Sequence, residues 1–65
     1  MNQRQKPVAK LIGENGNIFN LLGIASRALK EAGQHEQAAK MFEEIKGCGS
    51  YENALAIIAD YVEVE

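Results

Sequence analysis

Apolar residues recur at helical spacing along most of this chain, and glycine-bearing breaks divide them into three runs. From Ile18, the residues Leu22, Ala25, Leu29 and Ala32 follow at intervals of four and three, which sets them on one face of a helix. Leu21 and Ala28 widen that stripe, while Asn20, Arg27 and Glu31 fall opposite. Asn17 stands where an N-cap accepts a backbone hydrogen bond, and Gly33 where a left-handed residue ends a helix. A first helix is therefore predicted over about residues 18–32. Gly23 in its middle costs about 1 kcal/mol relative to alanine, and close approach of another backbone would account for it.

A second helix is predicted from Gln34 or His35 to Lys46. Its apolar face is Ala38, Met41, Phe42 and Ile45, and Glu36, Lys40, Glu43 and Glu44 face solvent. Glu36 and Lys40 stand in the favourable i,i+4 order. Gly47 is expected to end this helix, with Cys48 closing a Schellman-type contact. A third helix opens on Ser50 as N-cap and runs from Tyr51 to about Tyr61. Its main face is Tyr51, Leu55, Ile58 and Val62, flanked by Ala54, Ile57, Ala59 and Tyr61. Only Glu52, Asn53 and Asp60, with small Ala56, interrupt that arc. A helix apolar most of the way round is buried on more than one side.

The flanks read differently. Residues 1–7 form a polar arm punctuated by Pro7, and residues 8–12 are a short apolar, extended segment. Residues 13–17, with Gly13, Asn15, Gly16 and Asn17, are a turn. Residues 61–65 alternate apolar and acidic side chains, a strand-like period. The expected fold is mostly α. It is a small three-helix domain over residues 8–65, behind a flexible arm (1–7), with an extended N-terminal segment able to pair with the C-terminal tail as a two-stranded sheet.

Composition narrows the function. A 65-residue chain holds one domain and buries only about 60% of its unfolded surface, so a large enclosed active site is excluded and self-association or a partner is expected. The net charge is −2, from seven basic and nine acidic residues, which disfavours nucleic acid as the partner. The charge is uneven: Arg4, Lys6 and Lys10 stand without an acid in residues 1–12, and Glu52, Asp60, Glu63 and Glu65 without a base in residues 50–65. Opposite ends attract, so the arm is expected to dock near the C-terminus. The single cysteine forbids an intrachain disulfide. With a polar start and no long apolar run, a cytoplasmic protein without signal peptide or membrane span is expected.

Candidate chemistry is sparse. His35 and Cys48 pair by type as base and nucleophile, but a helix between them sets them about 20 Å apart. That distance also separates them as metal ligands, and neither a catalytic nor a metal nor a cofactor site is expected. The Gly13-x-x-Gly16 turn before a helix can present backbone N–H groups to an anion, yet it lacks the Gly-Lys-Ser/Thr ending of a P-loop. The predicted third helix carries no cation for reading bases in a DNA groove.

Two resemblances add to this. Residues 25–45 resemble one unit of the tetratricopeptide repeat, with Leu29, Gly33, Ala38 and Phe42 in that family's order and spacing. Leu22, Ala25 and Ser26 stand where the family has a large aromatic and a Leu-Gly pair. The likeness implies an antiparallel helical hairpin; about three such units are needed to bury a core. More of the chain is covered by a second pattern: residues 13–17, then Phe19, Leu22-Gly23, Arg27-Ala28-Leu29, Ala32-Gly33, Gly49-Ser50-Tyr51 and the Val-Glu-Val tail. It resembles a family of short, functionally uncharacterised proteins encoded in bacterial, phage and mobile-element genomes. That resemblance implies a compact helical domain and supplies no functional residue.

The expected function is a non-catalytic protein–protein interaction module, binding a second copy of itself or another protein through Ala54, Ile57 and Tyr61. The alternative is a weak nucleic-acid or anion binder using Arg4, Lys6, Lys10, Gly16 and Asn17.

Overall fold

Three capped helices and one pair of short strands make up the computed structural model, which describes residues 6–65. In chain order they are β1 (Val8–Ala9), α1 (Ile18–Glu31), α2 (His35–Lys46), α3 (Tyr51–Tyr61) and β2 (Glu63–Val64). The Asn17 side chain accepts the Phe19 N–H at the start of α1, and Ser50 Oγ accepts the Asn53 N–H at the start of α3. These bonds satisfy donors that a helix N-terminus leaves unpaired. α1 ends in a Schellman motif: Gly33, at φ 79°, donates to the Lys30 carbonyl, and Gln34 donates to Leu29.

α2 stops differently from the expectation. Gly47 has φ −101°, so it is not the left-handed residue, and the chain leaves through tight bonds from Gly47 to Glu44 and from Cys48 to Ile45. The positive φ belongs to Gly49 instead, which turns the chain into the Ser50 cap.

Leu21, Leu22, Ala25 and Leu29 of α1, Ala38 and Met41 of α2, and Ala54 and Ile58 of α3 are buried, with Val62 just beyond. On α3 the seam is Ala54, Ile58 and Val62, at i,i+4 spacing, so the helix is rotated from the expected Tyr51-led face and Tyr51 is exposed. Phe42, expected in the core face of α2, is also exposed, because its neighbour Met41 takes the buried direction. Gly23 is a further correction. It is exposed, and beyond its own helical turn a Cβ placed there would meet no atom of the described residues within 4 Å, so no other described segment approaches it. Gly23→Ala is therefore expected to stabilise the fold by up to about 1 kcal/mol, read as a higher urea midpoint at unchanged slope.

The sheet joins the two ends of the chain. β1 and β2 are parallel, with Val8 beside Glu63 and Ala9 beside Val64. Glu63 donates to the Pro7 carbonyl and Glu65 to Ala9, while Leu11 and Ile12 both donate to Glu65. Ala9 and Leu11 alternate inward and are buried against the helices. A parallel pair requires a crossover connection; here the crossover is the whole helical body. Lys6 Nζ donates to the Ala59 carbonyl at 2.8 Å, in the last turn of α3, where unpaired carbonyls favour a cation. Lys6 and Pro7, the last two residues of the expected arm, thus each make a contact with the C-terminal part, and the rest of that arm, with Arg4, lies outside the described residues. Among the described residues the basic start meets the C-terminal part through backbone hydrogen bonds and the Lys6–Ala59 contact, and no ion pair joins it to the acidic tail. No described helix is long and apolar enough to cross a membrane.

Candidate functional site

The polar candidates are separated or already engaged. His35 opens α2 and Cys48 lies past its end, a separation of nearly 20 Å along the helix axis, which puts hydrogen bonding between them out of reach. Cys48 is half-buried, and its thiol lies 3.4 Å from the Ser50 carbonyl. Among the described residues, no group of three or more His, Cys, Asp or Glu is placed to hold a metal ion.

The turn before α1 is bound from within. Asn15 Oδ1 accepts the Asn17 N–H at 2.8 Å, and Asn20 Nδ2 donates to the Asn15 carbonyl. The Tyr51 hydroxyl donates to the Gly16 carbonyl, fastening the start of α3 to this turn. Of the two turn residues expected to hold an anion, Asn17 already has a partner for its N–H, and Gly16 is engaged through its carbonyl. Lys10, just past β1, is exposed, and Lys6 is committed to α3.

The three residues expected to form an interface are distributed otherwise. Ala54 is 2% exposed and lies in the core, so it cannot contribute contact surface. Ile57 and Tyr61 are half-buried against the same core, and the Tyr61 hydroxyl donates to Glu44 Oε2 at 2.7 Å. The wide apolar arc of α3 is largely consumed inside the domain, because α3 packs on both other helices as well as leading into β2.

Exposed large apolar side chains stand in two places: Val8, Ile12 and Val64 about the strand pair, and three aromatics on the helices. Phe19 is 76% exposed, Phe42 47% and Tyr51 48%. They border two adjoining depressions of about 450 and 490 Å³ that share Phe19, Leu22 and Phe42. Both lie along the groove between α1 and α2, and the second reaches the start of α3. Each wall is a stripe at spacings of four, three and four: Phe19, Gly23, Ser26 and Lys30 on α1, and His35, Ala39, Phe42 and Lys46 on α2. Small residues in the middle of both stripes make the depression, and an aromatic stands above it on each side.

The two stripes were present in the sequence as a second helical period, one position away from the core stripe on α1. Small and polar residues diluted them below the level that marks an apolar face. Lys46 Nζ sits 5.7 Å from the Phe42 ring centroid and 3.6 Å from Glu43 Oε2. Both partners of that ion pair are well exposed, so it is weak and exchangeable.

No protein-family model, curated protein or solved structure matches the chain.

Proposed function

We propose that this chain is a non-catalytic protein–protein interaction module whose contact surface is the aromatic groove of α1 and α2. The observation that carries this reading is the exposure of Phe19 and Phe42 on either side of one depression. Aromatic side chains concentrate binding energy at interfaces, and burying two of them without use in the fold is a gain available only to a partner. The lone half-buried thiol suits a reducing, cytoplasmic setting.

The surface predicted from sequence, on Ile57 and Tyr61, is replaced by this one because those side chains are already packed. The reading is tested with Phe19→Asp and Phe42→Asp. Both positions are exposed, so both variants are expected to keep the wild-type helical circular dichroism. Self-association is read by light scattering at two concentrations tenfold apart under reducing conditions, and foreign partners by comparative capture from host lysate. Each variant is expected to lose whichever association the wild type shows. Identical masses and identical captured proteins for wild type and variants would overturn the reading.

A further inference from the structure

We infer that the groove receives an acidic amphipathic helix of another protein, packed close against Gly23. This rests on the interaction-module reading and specifies the partner. The chain carries nine acidic residues against seven basic ones, yet no carboxylate lines either depression; the charged residues that line them are Lys30, in the same depression as His35, and Lys46, whose exposed pair with Glu43 is weak and exchangeable. The two lysines stand at opposite ends of the groove, since α1 and α2 run antiparallel across a three-residue connection. A partner with an apolar stripe and carboxylates along its flanks meets complementary charge at both ends.

A second copy of this chain does not fit the same face across a two-fold axis. A two-fold contact places like surfaces against each other, so the lysine-rimmed groove would meet another lysine-rimmed groove. The dimensions suit a helix. From Phe19 to Lys30 the α1 wall rises roughly 16 Å, the length of about eleven helical residues, and laying an amphipathic helix into an apolar groove is a recurrent mode of recognition.

Gly23 supplies the independent observation. It stands mid-helix at a cost to stability, no other segment among the described residues fills the space beside it, and it lines the groove between Phe19 and Ser26. Glycine at such a point admits close approach of a foreign backbone.

The test uses two synthetic 14-residue helical peptides with the same leucine stripe, one flanked by glutamates and one by lysines, titrated into the isotope-labelled full chain. The glutamate peptide is expected to shift the amide signals of Gly23, Ser26 and Ala39, and to bind about tenfold more tightly than the lysine peptide at low salt. That advantage should shrink at high salt, and the Lys30→Glu/Lys46→Glu variant should reverse it. Gly23→Ala should melt at a higher temperature yet bind the glutamate peptide severalfold more weakly; unchanged affinity would overturn the close packing.

Equal affinity for the two peptides, or a preference for lysine, overturns the acidic partner and leaves the docking surface standing. Binding of neither peptide, with association that depends on Phe19 and Phe42 still present, overturns the acidic helix and leaves the module. Absence of both kinds of binding ends both proposals.

Discussion

Leu29→Ala is expected to cost about 3 kcal/mol, within the range for a leucine truncated where its surroundings close only in part. Leu29 is fully buried, and it sits in the same cluster as Met41 of α2 and Ile58 and Val62 at the α3 end. Removing it opens a hole where all three helices meet. A chain of 65 residues has total stability of only about 3–10 kcal/mol, so this one change removes a third or more of it. The melting temperature should fall by about 15 °C or more, followed by far-ultraviolet circular dichroism. Leu29→Met, close in volume, should cost less than about 1.5 kcal/mol. A loss below about 1 kcal/mol for the alanine variant would mean that Leu29 is not at the centre of the packing.

Ending the chain after Val62 is the second large effect. The missing residues supply the Glu63 and Glu65 N–H donors and the Glu65 carbonyl that takes both Leu11 and Ile12. Four hydrogen bonds at about 1 kcal/mol net each are offset in part by the freedom regained by the tail and by residues 6–12. A destabilisation of about 2–3 kcal/mol is expected. Leu11, 8% exposed in the intact chain, loses the bonds that hold it against α1, so the loss should exceed the bare tail contribution. Amide exchange separates this from general loosening. Leu11 and Ile12 should lose their protection, while amides in the middle of α1 and α2 fall only by the global change in stability. Retained protection at Leu11 and Ile12 would show that the pairing does not hold the N-terminal segment.

Helix limits were legible in the sequence because each carries a specific stop or start. Asn17, Ser50 and Gly33 sit where predicted and make the capping contacts those residue types make. Pairing of the chain ends was legible too, from the period-two tail and opposite charges, although its parallel direction was not. Direction depends on how three helices stack, and no local pattern encodes that. Rotation of α3 was misread for a related reason. Tyr51 and Ala54 both belong to its apolar arc, and only the packed partners decide that small Ala54 goes inside while Tyr51 reaches across to Gly16. The groove escaped because Gly23, Ser26 and Ala39 carry no apolar bulk. What marks a recess is missing side-chain volume, and a hydropathy pattern reports only what is present.

The parallel strand pair also dictates an order of events in folding. Val8 and Glu63 are 55 residues apart, and closing a loop of that length costs about 3.5 kcal/mol by chain statistics alone. Two residues per strand cannot repay that, so β1 and β2 pair only after α1, α2 and α3 have gathered the ends together. During synthesis β1 emerges well before β2, so it waits unpaired until its partner and the helices between them have been made. Until then Ala9 and Leu11 stay uncovered, and the nascent chain is open to aggregation through that apolar stretch.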